Sequence, residues 1–240
     1  MHDPPRALRF PDLLNARDLG GYPTVDGATT RWRSLLRADD PGQLTAAGLQ
    51  SLADFGLQTV IDLRWPEEVA ASPNPLARGL RDVQYRHVSL LTQSAAAWSR
   101  LSVEGPKEQW KCEVLTHVRP QLKEVLQIVA AAAPGPLLFH CVAGKDRTGV
   151  IAAVLLALAE ATPDAIAHDY SISAEHLRDA YLLRYANQDR AQVLEAVRCP
   201  AQGALRMLEY LERYGGVRGY LREIGLSPEQ VARLRARLRD

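Results

Sequence analysis

Cysteine is scarce in this chain: 240 residues include only three, Cys112, Cys141 and Cys199. An odd count at unrelated spacings supplies no disulfide framework and no zinc-ligand pattern, so a reducing setting is expected. Charge of one sign is lacking as well. With 29 Lys+Arg against 28 Asp+Glu the net charge is +1, which argues against a dedicated nucleic-acid binder or a strongly basic membrane-surface protein. Long apolar runs are missing: the longest, Val150 to Ala159, is far short of a membrane span. The opening Met-His-Asp-Pro-Pro-Arg lacks the basic-then-apolar order of a signal peptide. Neither an internal repeat nor a low-complexity tract stands out. These absences lead to the expectation of a cytoplasmic monomer without metal, cofactor, nucleic-acid partner or integral membrane association. Its length suits one α/β domain, 1–240, able to bury a sizeable core.

What is present alternates between two periodicities. Trp32 to Arg37, Gln58 to Leu63, Val83 to Leu91 and Leu137 to His140 read as short strands bounded by Gly and Pro. Thr45 to Phe55 carries apolar residues at helical spacing, with Thr45 as N-cap and Gly56 as terminator. Thr116 to Ala133 reads as a helix stopped by Pro134-Gly135-Pro136. Four or five more helices are expected after the run at Val150. Thr162-Pro163 opens one, and Ser227-Pro-Glu-Gln230 forms a capping box for the last. Strands alternating with helices imply a central, mostly parallel sheet covered on both faces, with extra C-terminal helices.

Chemistry concentrates in Pro136-Leu-Leu-Phe-His-Cys-Val-Ala-Gly-Lys-Asp-Arg-Thr-Gly149, where an apolar strand leads through a tight loop into a helix. A curl over Val142, Ala143, Gly144 and Lys145 can turn successive amides inward, and the following helix adds its positive end, making an anion site. Arg147 contributes a planar fork matched to two phosphate oxygens. Cys141 lies at the base, where such surroundings favour the thiolate. A thiolate beneath a bound phosphoryl group is equipped to attack phosphorus. Only Cys141 has an arginine six residues on; the same offset from Cys112 and Cys199 reaches Val118 and Leu205. An inert core thiol would not explain the polar crowd of His140, Lys145, Asp146, Arg147 and Thr148. The loop is no Walker A motif either, since Phe139 stands where a glycine is required and Asp146 where Ser or Thr would bind magnesium.

His-Cys-Val-Ala-Gly-Lys-Asp-Arg-Thr-Gly resembles the phosphate loop of the cysteine-dependent protein tyrosine phosphatase superfamily, more narrowly its atypical bacterial branch that also acts on phosphoinositides. Asn15-Ala-Arg-Asp-Leu-Gly-Gly21 is similar to the opening motif of that branch. Val60-Ile-Asp-Leu-Arg64 with Glu67 or Glu68 is similar to its Asp-Leu-Arg…Glu element. The likeness covers nearly the whole chain from Asn15. It implies a phosphatase-like fold and hydrolysis of phosphate monoesters through a cysteinyl-phosphate. The implied substrates are phosphotyrosine, with phosphoserine, phosphothreonine and phosphoinositides as further classes. A lysine at position 145, as in related lipid phosphatases, agrees with a second substrate phosphate. Some relatives leave the cell without a signal peptide, so the cytoplasmic expectation carries that exception.

Thiolate attack needs a general acid for the leaving group. The superfamily's usual aspartate, some tens of residues before the cysteine, is missing: Val83 to Lys145 contains none, and Glu104, Glu108, Glu113 and Glu124 are the acids within reach. Asp62 and Asp146 are the two candidates. Asp62 and Arg64 lie at the end of a strand that, if parallel to the cysteine's strand, reaches the same rim. The working assignment is Asp62 as acid and Asp146 as positioner of water or substrate. The plainer alternatives are Asp62 capping the next turn and Arg64 paired with Glu67 or Glu68. Thr148 can donate to the sulfur, and His140 anchors the loop through backbone contacts. Asn15, Arg17 and Asp18 either buttress the loop or simply hold a turn. The Ala- and Ser-rich stretch with Trp98 and Trp110, within 92–120, is either a helical lid or a peripheral packed helix.

Overall fold

The computed structural model describes residues 6–78, 80, 83–91 and 114–239. The proposed lid therefore falls largely outside the described residues, as do Glu104, Glu108, Cys112 and Glu113.

Five strands form one sheet: β1 (Arg17–Asp18), β2 (Leu35–Ala38), β3 (Thr59–Asp62), β4 (Gln84–His87) and β5 (Leu137–His140). Their order is β1-β2-β5-β3-β4, parallel except for the β1–β2 pair. The cysteine's strand is thus central, and register sets Ala38, His140 and Asp62 side by side at the carboxyl rim.

Side chains alternate across the sheet, as a pleated strand requires. Leu35, Ile61, Leu137 and Phe139 enter one core, while Leu36, Val60 and Leu138 enter the other. The second core is roofed by α1 (Ala46–Phe55), which Thr45 caps through its side chain and Gly56 ends in a left-handed turn. The first is covered by α3 (Arg119–Ala131) and α4 (Asp146–Leu158), with α2 (Pro66–Ala71) following β3. Helix α4 is buried along almost its entire length, which is why its sequence is apolar on every side.

Six helices follow: α5 (Pro163–Ser171), α6 (Ser173–Arg184), α7 (Arg190–Val197), α8 (Gln202–Glu212), α9 (Val217–Glu223) and α10 (Pro228–Leu238). One more helix appears than the sequence suggests, because Ile172 alone separates α5 from α6. The caps at Thr162 and Ser227 form as expected. Strand β2 starts later than the pattern implies because Arg33 has φ 57°, a left-handed turn that interrupts extended backbone. The fold is an α/β sheet flanked by helices, with a helical C-terminal region.

Candidate active site

The loop after β5 takes its shape from the direction of its carbonyls. Asp40 N donates to Val142 O at 2.9 Å, and Asn15 Nδ2 donates to Ala143 O at 2.9 Å and Gly144 O at 3.1 Å. Arg37 Nη2 donates to Gly144 O at 2.6 Å and Lys145 O at 3.3 Å. A trans peptide sets the carbonyl of one residue opposite the amide of the next. Fastening these carbonyls outward therefore turns the amides of Ala143, Gly144, Lys145 and Asp146 inward, beside the first turn of α4. Gly144 is required here. Its φ is +62°, and a Cβ would lie 2.4 Å from Ala38 O.

Cys141 is buried at the foot of this arc, 2% exposed, between β5 and α4. Arg147 reaches back over Trp65, 4.5 Å from the ring centroid, and is braced by both oxygens of Glu68 at 2.5 and 2.9 Å. Glu68 is itself fixed, accepting from Trp65 N at 2.8 Å at the start of α2. Burial works against the charge on Arg147, but the neighbouring Cys141 and Glu68 outweigh it and hold the guanidinium more firmly protonated than usual. Glu68 thus pairs with Arg147 and not, as one alternative had it, with Arg64.

Asp62 does reach the rim, yet within a closed cluster. Its side chain is 0% exposed, accepting from Arg64 Nε and Nη2 at 2.9 and 2.7 Å and from Tyr85 Oη at 2.9 Å. Burial opposes its ionisation, but the paired Arg64 prevails and holds the carboxyl below the usual range. A carboxylate so enclosed is poorly suited to donate a proton to a leaving group, which counts against the working assignment. Arg64 is also fully buried, with Asp40 as a further partner at 2.8 Å, and points its donors at carboxylates and the Ser72 carbonyl. Asp146 is different: its side chain is 40% exposed, sits in the first turn of α4, and accepts from Tyr170 Oη at 2.9 Å.

The remaining residues divide. His140 Nδ1 lies 3.1 Å from Cys141 O and Nε2 lies 2.9 Å from Asn74 Nδ2; its burial disfavours the protonated ring. That pattern fits a neutral ring donating through Nδ1, an anchor. Thr148 Oγ1 is buried without a hydrogen-bond partner among the described residues. Lys145 does not extend over the loop: Nζ donates to Ala196 O at 2.6 Å, at the end of α7. Asp18 accepts from Gly20 N and Arg33 N and shapes a turn, whereas Asn15 and Arg17 do stand behind the loop. Among the described residues no cluster of metal-ligating side chains occurs, and no helix is long and apolar enough to cross a membrane.

A model described as "Tyrosine phosphatase family" matches residues 8–240. The chain belongs to that family. This phosphatase is 38% identical over 218 residues to a tyrosine-protein phosphatase of Nostoc commune, covering 85% of this chain and 74% of the relative. It is 35% identical over 170 residues to a putative tyrosine-protein phosphatase of Cupriavidus necator, covering 68% and 61%. It is 28% identical over 274 aligned positions to the triple specificity protein phosphatase PtpB of Mycobacterium tuberculosis, covering 94% and 96%. The phosphatase is accordingly a cysteine-dependent enzyme of the tyrosine and dual-specificity class, acting on phosphorylated substrate.

Sequence reasoning missed two residues that stand directly behind the phosphatase's loop, Arg37 and Asp169. One signal was available. Arg37 interrupts the apolar strand Leu35-Leu36-Arg37-Ala38, and Asp169 sits beside Tyr170 on a helix whose other buried residues are Ala165, Ile166 and Ala167.

Proposed function

We propose that this phosphatase, as one domain spanning 1–240, hydrolyses phosphotyrosine and, more broadly, phosphoserine, phosphothreonine and phosphoinositide monoesters through a phosphate ester of Cys141. The observation that supports it best is the outward fastening of the loop carbonyls, which leaves a ring of inward amides around a single cysteine. In this reading the amides from Val142 to Arg147 and the Arg147 fork hold the phosphoryl oxygens, and their charge complements the transition state. The Cys141 sulfur attacks phosphorus as the ester oxygen leaves. Asp146, exposed and on the loop side of α4, gives that oxygen its proton and then takes one from the water that cleaves the S–P bond. Thr148 donates its unclaimed hydroxyl to the departing sulfur. Asp62 and Arg64 act behind the site, keeping the β3 rim in place beside His140. Breadth across protein and lipid phosphates draws on the resemblance and on the triple specificity named for the PtpB relative. A second-phosphate role for Lys145 would require Nζ to leave the α7 carbonyl. The protein is taken to act as a monomer.

The test is a panel of phosphotyrosine, phosphoserine and phosphothreonine peptides and phosphoinositides, run on wild type and Cys141→Ser. Turnover of at least the phosphotyrosine peptide by wild type, abolished in Cys141→Ser, is expected. Activity surviving in Cys141→Ser would overturn the reading.

A further inference from the structure

Behind the loop, one carboxylate aims two guanidiniums at it. Asp169 of α5 is 1% exposed; its Oδ1 accepts from Arg17 Nε and Tyr22 Oη, each at 2.9 Å, and its Oδ2 accepts from Arg37 Nη1 at 2.5 Å. Its own carbonyl accepts from Arg17 Nη2 at 2.7 Å, and Ser173 Oγ accepts from the same nitrogen at 2.9 Å. From this point two arms run forward. Arg17 Nη1 donates to Asn15 Oδ1 at 2.5 Å, and Asn15 Nδ2 then holds Ala143 O and Gly144 O. Arg37 holds Gly144 O and Lys145 O directly. Both arms end on the carbonyls that decide where the amides point.

The cluster is also unbalanced in charge. Arg17 and Arg37 are fully buried and face one buried carboxylate, while burial keeps the adjacent His176 toward its neutral form. Arg37 Nε has no hydrogen-bond partner among the described residues. Burying a surplus charge is costly unless something opposite in sign stands nearby. Here the loop lies between the surplus cation and the place an anion would occupy.

We propose that Arg37, aimed by Asp169, is a positioning residue that fixes the inward amides and supplies the buried positive charge by which the loop binds a phosphoryl dianion. This rests on the assignment of the Cys141 loop as the phosphate site. It assigns a role to residues more than a hundred positions apart in the chain, neither of which touches substrate.

The experiment measures steady-state kinetics with p-nitrophenyl phosphate and competitive inhibition by inorganic phosphate, for wild type, Arg37→Met and Arg37→Lys, alongside thermal melts. Methionine removes the charge and the fork while keeping apolar bulk, so Asp169 remains paired with Arg17 and Tyr22. Arg37→Met should raise both KM and the phosphate inhibition constant by about tenfold, the scale of one charge-assisted hydrogen bond. Arg37→Lys should recover part of that loss. A purely structural role would lower the active fraction, and hence the apparent kcat, while leaving KM and the inhibition constant unchanged. An inhibition constant for Arg37→Met within about threefold of wild type overturns the proposal. If Arg37→Met does not fold, Arg37→Lys decides: a clear rise in both constants supports it, and unchanged constants overturn it. Failure of wild type to turn over the aryl phosphate, or retained activity in Cys141→Ser, would instead remove the phosphate-site assignment itself.

Discussion

At the scale of single residues, acids near the loop differ sharply in environment. Asp62 is locked to Arg64 with no exposed surface, whereas Asp146, in the first turn of α4, keeps its carboxylate partly in solvent. Asp146→Ala should therefore lower kcat/KM, which reports transfer to sulfur, by about 10²–10⁴-fold for a phosphotyrosine peptide with its poor leaving group, while affecting kcat/KM for p-nitrophenyl phosphate far less. Asp62→Ala should chiefly cost stability, at most about 3–5 kcal/mol, because it leaves the buried Arg64 with Asp40 alone as carboxylate partner among the described residues. Comparing kcat/KM across leaving groups, with thermal melts, separates the two. A third carboxyl, Asp39, has the opposite tendency. Burial pushes it up to about 6, although the Leu14 and Asn15 amides donate to it. Its folded form holds a proton more tightly than the unfolded chain does, so its contribution to stability is fullest below pH ~4 and lost as pH rises through about 6. Asp39→Asn should accordingly stabilise the fold above pH ~6 by about 1–3 kcal/mol and leave it little changed near pH 4, read from melts across that range.

At the scale of elements, the working unit is β5, the loop and α4, and its one indispensable backbone position is Gly144. Any Cβ there meets the Ala38 carbonyl, on the neighbouring strand, under an unfavourable φ. Gly144→Ala should lower the melting temperature and reduce kcat/KM by at least about tenfold, since the loop must move before the side chain fits. This unit was readable from the sequence because everything in it is contiguous: strand, thiol, glycine, arginine and buried helix follow one another within Leu137 to Leu158. The caps at Thr45, Thr162 and Ser227 were readable for the same reason, each being settled within four residues. Strand ends were less so. The extent of β4 is set by pairing with the four residues of β3, and the late start of β2 by the left-handed turn at Arg33, and neither follows from hydrophobic alternation.

At the scale of the whole molecule, the near-zero net charge conceals a strongly uneven interior. Arg17, Arg37 and Arg64 are among the largest fully buried side chains; the first two share Asp169, and the third faces Asp62. The Asp62–Arg64 pair could be suspected from its spacing. Asp169 could not be matched with Arg17 and Arg37, because separations of 152 and 132 residues leave no local pattern. Membership of the tyrosine phosphatase family and the parallel sheet were thus legible from motif order, while the scaffold that shapes the loop required the three-dimensional fold. The account comes down to whether phosphate passes through the sulfur at the centre of that scaffold. The most direct measurement is rapid quenching of the Asp146→Ala protein during turnover of labelled aryl phosphate, followed by peptide mapping. The expected result is label bound to the peptide containing Cys141 and absent in Cys141→Ser; label on another residue, or none while product still forms, would contradict it.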